Sequence, residues 1–156
     1  MATRIGDVTL LRGIPLHSLI DAGRQVTIVR RRDLHEALFH VSLEGGGTAW
    51  FLVKTSTSPK RWQFTFTDEE LRALRTGPAA VGAQPRYVTL VCKTDGVCCL
   101  SLEELEQLLE EAGDGSRFVG VSRPPGGSYW VSGPGGVLLG HSIRASDWPD
   151  RILGVR

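Results

Sequence analysis

Hydrophobic and polar positions alternate in short blocks along the chain, and residues 87–109, YVTLVCKTDGVCCLSLEELEQLL, are a representative block. Residues 87–92 and 97–100 are apolar and rich in strand-forming side chains, and Asp95-Gly96 between them signals a tight hairpin turn. Leucines at helical spacing follow Ser101. The block therefore predicts a strand, a turn, a second strand and a helix.

Two helix starts carry the same pair of residue types. Thr67 with Glu70, and Ser101 with Glu104, each place a hydroxyl three residues before a glutamate. Each side chain can then satisfy a backbone N–H group that the first helical turn leaves unbonded. We predict two short helices, each with one apolar face.

The remaining segments predict further strands and short helices. Residues 39–43, 49–55 and 62–67 are typical of strands, with EGGG (44–47) joining the first pair, and 25–32 predicts another strand. Residues 14–23 predict a helix closed by Gly23, and RDLHEAL (32–38) predicts a short helix. RFVGVSR, SYWVSG and GVLLGHSI predict a meander with glycine-rich turns, and SDWPDRIL predicts a terminal turn or helix.

This order of elements favours an α+β or mixed α/β fold. We expect a mixed, mostly antiparallel sheet of hairpins, with short helices on one or both faces. A length of 156 residues suits a single globular domain covering positions 1–156.

The composition excludes several classes of protein. A formal charge of +1 gives no whole-molecule attraction for nucleic acid or membrane, so any binding depends on a local patch. The three cysteines include the adjacent pair Cys98 and Cys99, which argues against a disulfide framework and for a reducing compartment. No apolar run approaches the length of a membrane span. We expect a cytoplasmic protein without a membrane contact; its oligomeric state stays open.

Lys54 lies at the end of a predicted buried strand, in the segment LVKTS. The order helix, strand, strand, strand, helix, strand over about residues 33–93 resembles the core of the PD-(D/E)xK restriction-endonuclease-like superfamily. The resemblance implies metal-assisted phosphodiester hydrolysis, in which acids hold Mg²⁺ and a lysine orients the attacking water. It assigns Lys54 as that lysine, Glu44 as a metal ligand and Glu36 as a helix-borne acid. Leu52 stands where the family carries an acid or Gln, so one metal ligand is missing.

Two basic segments are candidates for nucleic-acid binding. SPKRW (58–62) places Lys60 and Arg61 beside Trp62, and VRRRD (29–33) contributes Arg30, Arg31 and Arg32. A cation beside an exposed aromatic ring can contact a phosphate while the ring stacks on an unpaired base. In the alternative interpretation, the basic side chains pack along the rim of the sheet and Trp62 belongs to the core.

Three functions are compatible with the sequence. The first is a nucleic-acid-associated domain with a degenerate restriction-endonuclease-like core, which binds DNA or RNA and needs no cofactor. The second is a protein-interaction module, an inhibitor or assembly subunit, that presents a sheet edge and the aromatic side chains Trp50, Tyr129, Trp130 and Trp148. The third is an active nuclease, the one case that requires Mg²⁺. Whether the protein is an enzyme is open at this level.

Overall fold

The computed structural model describes residues 6–58, 61–76, 84–112 and 115–154. Along these residues the elements are α1 (Asp7–Asp21), β1 (Val26–Arg30), β2 (Leu38–Leu43), β3 (Thr48–Ser56), β4 (Trp62–Thr65), α2 (Asp68–Thr76), β5 (Arg86–Cys92), β6 (Gly96–Ser101), α3 (Leu102–Ala112), β7 (Phe118–Ser122), β8 (Trp130–Ser132) and α4 (Asp147–Leu153). A short 3-10 helix, Pro134–Gly136, follows β8. This is a mixed α+β fold, as the sequence predicts.

The larger sheet places β3 at its centre, in the order β1-β2-β3-β5-β6. β3 and β5 run parallel, with α2 in the connection between them, and the other neighbours are antiparallel. The predicted hairpin at Asp95-Gly96 joins β5 to β6, with Cys92 opposite Gly96. Because β3 is flanked on both edges, Lys54 lies in an interior strand, as predicted.

A smaller antiparallel sheet has the order β4-β7-β8. β4 alternates strictly between buried Trp62 and Phe64 and exposed Gln63 and Thr65. A period of two residues is what a sheet with one wet face requires. The strand that the sequence predicts at residues 62–67 therefore exists as β4, but it belongs to this second sheet.

Two apolar clusters cover the two faces of the larger sheet. One joins Leu52 and Leu90 to the leucines of α2 and α3 and to the inner face of the smaller sheet. The other joins Phe51 and Val91 to α1 and α4. The larger sheet is thus covered by helices on both faces, which explains why its central strand is apolar along most of its length.

Both predicted capping boxes are present. In α2, the Thr67 N–H donates to Glu70 Oε1 at 2.9 Å and the Glu70 N–H donates to Thr67 Oγ1 at 3.1 Å. In α3, the Ser101 N–H donates to Glu104 Oε1 at 2.8 Å and the Glu104 N–H donates to Ser101 Oγ at 3.1 Å. The two helices therefore begin where the sequence indicates.

Three local predictions change. The predicted helix at residues 32–38 is wrong: the segment forms successive turns, and the Arg31 N–H donates to Leu38 O at 2.8 Å to close the β1–β2 hairpin. The helix predicted at 14–23 begins earlier, at Asp7, and ends as expected before Gly23, which has φ +82°. Residues 136–143 contribute isolated bridges at Leu138 and Ile143 instead of a full strand.

Within the described residues, no helix is long and apolar enough to cross a membrane.

Candidate functional site

Lys54 is bound in a buried ion pair. Its Nζ lies 2.8 Å from Oε2 and 3.0 Å from Oε1 of Glu70, and only 19% and 8% of the two side chains are exposed. The ammonium group also lies 5.6 Å from the centre of the Phe66 ring. Lys54 therefore connects the central strand to the first turn of α2.

Glu70 stays ionised in this environment. Burial acts to raise the pKa of Glu70, but the hydrogen bonds from Lys54 and from the Thr67 backbone outweigh burial, so the pKa lies below its ordinary value. Its carboxylate is thus occupied by one side chain and one backbone donor. Glu70 is a residue that the sequence analysis assigned only to a helix cap.

Glu44 and Glu36 do not complete a metal site around Lys54. Glu44 lies in the turn before β3, and six residues of strand from Thr48 to Lys54 correspond to about 20 Å. Glu36 is closer along the backbone, since the Val53 N–H donates to Ala37 O at 3.0 Å. Its carboxylate, however, pairs with Arg12 of α1 at 3.4 Å. α1 packs in the apolar cluster on the face of the sheet opposite α2.

The metal prediction therefore finds no support in the side-chain positions. Among the described residues, no group of three or more His, Cys, Asp or Glu side chains is placed to hold a metal ion. A hard divalent cation such as Mg²⁺ is bound through several oxygen ligands. Leu52 occupies the position of the family acid, and neither Glu36 nor Glu70 is free to join Glu44. Glu44 therefore has no second carboxylate with which to bind a metal ion.

Two of the three arginines around the β1–β2 connection bind residues of their own segment. Arg30 Nε donates to Glu36 O at 2.6 Å. Arg31 pairs with Asp33 at 2.6 Å and lies 5.4 Å from the centre of the Trp50 ring. Arg32 is exposed. This basic segment belongs to the larger sheet, whereas Arg61 immediately precedes β4 of the smaller sheet.

The second basic segment is only partly available for binding. Lys60 lies outside the described residues. Trp62 is 4% exposed and packs in the core, 6.4 Å from the Tyr129 ring, so it cannot stack on a base. Arg61 is exposed and has no ion pair among the residues described.

The outer face of the smaller sheet places other side chains beside Arg61. Its middle row is Gln63, Gly120 and Ser132, side by side on β4, β7 and β8. Toward the start of β4, the next outward row contains Ser122 opposite Trp130, with Arg61 beside Ser122. Toward the end of β4, the next outward row contains Phe118 opposite Thr65. We call this surface the β4-β7-β8 face.

The middle of the β4-β7-β8 face is a trough of about 380 Å³, lined among others by Arg61, Gln63, Phe118, Gly120 and Ser132. The floor of the trough is open because Gly120 has no side chain; a Cβ there would lie 3.1 Å from Ser132 Oγ. Trp130 is 49% exposed, whereas Trp50, Trp62 and Trp148 are at most 4% exposed. The alternation in RFVGVSR and SYWVSG is the sequence signal that could have identified these positions.

Comparison of the chain with protein-family models, curated proteins and solved structures finds no match. The function must therefore be argued from the chemistry of its own residues.

Proposed function

We propose that the protein is a non-catalytic nucleic-acid-binding domain that contacts single strands through the β4-β7-β8 face. The observation that carries this proposal is that Arg61, which makes no ion pair with any described residue, lies on the same open sheet face as the exposed ring of Trp130 and the half-buried ring of Phe118. Unpaired bases stack on aromatic side chains of open sheets, and a nearby guanidinium can contact the phosphate backbone.

The dimensions of the face suit planar groups. On β7, Phe118 lies four residues from Ser122, which corresponds to about 13 Å along the strand. Ser122 pairs with Trp130 on β8, so the two rings are separated by a similar distance along the sheet. Between the two rings lies the row of Gln63, Gly120 and Ser132, whose small and polar side chains leave the floor of the trough open. Gln63 and Ser132 supply hydrogen-bond donors and acceptors that can reach base edges.

The larger sheet supports a scaffold without catalysis. Within residues 33–93 the expected first helix is a series of turns and the expected third strand, β4, belongs to the smaller sheet, so only β2, β3, α2 and β5 keep the restriction-endonuclease-like order. In this core the lysine expected to activate water is neutralised by Glu70, at 2.8 Å. Leu52 replaces an acid, so phosphodiester hydrolysis lacks both its lysine and one metal ligand.

Binding is tested by titrating fluorescein-labelled oligonucleotides of DNA and RNA, single- and double-stranded, and recording anisotropy and tryptophan fluorescence. We expect single strands to bind most tightly. Bound bases should quench the emission of Trp130, the exposed tryptophan. Trp130→Phe should retain binding but lose the quenching, whereas Trp130→Ala should weaken binding about 5- to 150-fold, as expected for about 1–3 kcal/mol per stacked base.

Charge variants locate the surface. Arg61→Ala should reduce the slope of log K against log salt by about 0.7 for one lost phosphate contact on a single strand. The matched control is Arg32→Ala, which removes an exposed cation from the β1–β2 turn and should leave the slope unchanged. No binding at low salt, or equal losses in both variants, would refute the proposal.

A second candidate function, a protein-interaction module, is favoured by exposed apolar side chains on α1. Leu10 is 58% and Ile20 65% exposed. Of the four aromatic residues that the sequence analysis assigned to such a surface, only Trp130 is exposed. If the oligonucleotides fail to bind, sedimentation measures whether the protein associates with itself. Self-association that is lost in Leu10→Ser or Ile20→Ser would support this alternative.

A further inference from the structure

A second cleft, of about 610 Å³, lies at the carboxyl ends of the parallel strands β3 and β5. It is lined by the β5–β6 turn (93–95), by the residues after β7 (123–126), and by Trp62 and Cys92. The two strand ends are joined there, because the Lys93 N–H donates to Ser56 O at 3.1 Å. In sheets with parallel strands and helices on both faces, ligands bind outside these carboxyl ends.

Two cations contribute to the cleft, and one of them is held rigidly. Arg123 donates through Nη1 to Asp95 at 3.1 Å and through Nε to Gly127 O at 2.6 Å, and its guanidinium lies 5.1 Å from the centre of the Tyr129 ring. Its Nη2 has no partner among the residues described. A guanidinium fixed in this way loses little side-chain entropy when it binds an anion.

The second cation is Lys93, which is exposed and makes no ion pair within the described part of the chain. Asp95 is the one carboxylate in the lining, and it accepts hydrogen bonds from Arg123 and from Tyr129 Oη, at 2.9 Å for the latter. The cleft therefore has an excess of positive charge.

The turn that carries Lys93 has an unusual backbone. Lys93 has φ +50°, the one positive φ among the described non-glycine residues. A left-handed residue with a side chain costs about 1–2 kcal/mol and persists where its surroundings enforce it. This turn, residues 93–95, lines the cleft and carries Lys93 into it.

The indole of Trp62 is part of the cleft lining. Its Nε1 is buried without a hydrogen-bond partner in the described part of the structure, which is unfavourable for an N–H group. The Trp62 indole can therefore report on a ligand that binds in the cleft.

We propose that this cleft binds a phosphate monoester, with Lys93 and Arg123 as its charged contacts. The lining carries two cations against one carboxylate among its described residues, and a phosphate monoester offers them three acceptor oxygens where a carboxylate offers two. The volume exceeds that of a bare phosphate and lies in the range of small-molecule sites, so the esterified group has room beside Pro124 and Pro125. This site does not depend on the β4-β7-β8 face.

Isothermal titration calorimetry with AMP, adenosine and inorganic phosphate tests the assignment. We expect AMP to bind, inorganic phosphate to bind more weakly, and adenosine not to bind. The informative variant is Lys93→Gly, which removes the ammonium group and relieves the positive φ, so the fold is retained. It should lose about tenfold or more in AMP affinity without a decrease in melting temperature, and Lys93→Arg should restore binding.

A spectroscopic readout places the ligand. Addition of AMP should shift the indole N–H resonance of Trp62, assigned by its absence in Trp62→Phe, and leave that of Trp148 unchanged. The source of the phosphate is decided by comparing a 5′-phosphorylated with a 5′-hydroxyl oligonucleotide. Tighter binding of the former, lost in Lys93→Gly, identifies a nucleic-acid end; equal binding of both oligonucleotides, with AMP still bound, identifies a free phosphorylated compound.

The proposal is overturned if neither AMP nor phosphate binds at millimolar concentration, if adenosine binds as well as AMP, or if Lys93→Gly binds AMP like the wild type. None of these results affects the expected losses in Arg61→Ala and Trp130→Ala. Failure of this cleft is thus distinguishable from failure of the β4-β7-β8 face.

Discussion

Lys54 Nζ and Glu70 Oε2 are 2.8 Å apart, and their ion pair joins the central strand to the helix that follows the β4 segment. The same carboxylate caps α2 through the Thr67 backbone N–H, at 2.9 Å. Glu104 repeats the arrangement at α3: it caps the helix through Ser101, at 2.8 Å, and accepts from Arg151 Nη2 of α4 at 3.3 Å. In both helices one glutamate thus combines a local cap with a distant cation.

Glu70→Gln tests the buried ion pair. The glutamine oxygen can still accept the Thr67 N–H bond, so the cap is retained while the negative charge is removed. Lys54, 19% exposed, then lacks its counter-ion, and we expect a loss of about 2–3 kcal/mol in the free energy of unfolding. Urea denaturation measures it.

The matched control is Thr67→Ala, which removes the hydroxyl cap and leaves the ion pair intact. It should cost about 1 kcal/mol. If Glu70→Gln costs no more than Thr67→Ala, the ion pair does not stabilise the fold.

Stability should decrease in acid. Glu70 is buried and Glu104 is half-buried, which raises each pKa, but hydrogen bonds from Lys54 and Arg151 respectively bring each pKa below the ordinary 4.5. A carboxyl group whose pKa is lower in the folded than in the unfolded state stabilises the protein when it is ionised. The full contribution is present at a pH above the pKa of the unfolded state, and it is lost as the pH falls through the pKa of the folded state.

The urea midpoint, measured as a function of pH, should therefore be flat above about pH 5 and fall below about 4.5. Glu70→Gln should make the acid decrease less steep. An unchanged pH profile in that variant would show that other carboxyl groups account for the acid sensitivity.

Two glycine substitutions should have opposite effects. Gly96 has φ +155°, and an added Cβ would lie 2.5 Å from Tyr129 Oη, so Gly96→Ala should cost about 2 kcal/mol or more. Gly13 lies inside α1 with no neighbouring atom within 4 Å of an added Cβ. Gly13→Ala should stabilise the protein by about 0.5–1 kcal/mol. Melting curves of both variants are the measurement, and a stabilising Gly96→Ala would contradict this packing of the turn against Tyr129.

The cysteines should be unreactive in the native protein. Cys92, Cys98 and Cys99 are buried, and burial raises the pKa of Cys92 to about 12 and those of the other two above their ordinary value. With a thiol-specific disulfide reagent at about pH 8 we expect no reaction before denaturation and all three thiols to react in denaturant. Rapid labelling of one thiol in the native state would show that its strand is accessible.

Much of the fold could be predicted from short-range patterns. The hairpin at Asp95-Gly96, the helix end before Gly23 and the starts of α2 and α3 each depend on residues at most four positions apart. The failed helix at 32–38 has a helical pattern as well, but a closed hairpin between β1 and β2 leaves that segment only turns.

The candidate site was less accessible from sequence. A basic-aromatic segment predicted a surface around Trp62, yet strict alternation on β4 puts Trp62 inside and leaves Arg61 at the surface. Trp130 and Phe118 share a face with Arg61 only because β7 pairs with β4 from more than 50 residues away and β8 pairs with β7. No pattern of neighbouring residues in the sequence predicts that pairing.

The amino-acid sequence alone determined where α2 and α3 begin, where α1 ends and where the β5–β6 hairpin turns, because capping and turn formation are interactions between neighbouring residues. The tertiary structure decided what the charged and aromatic side chains do. Lys54 is neutralised by a glutamate 16 positions away, whereas Arg61 lies on an open sheet face without an ion pair to any residue that the structure describes. Burial and pairing depend on which distant elements pack together, and only the folded chain brings those elements into contact.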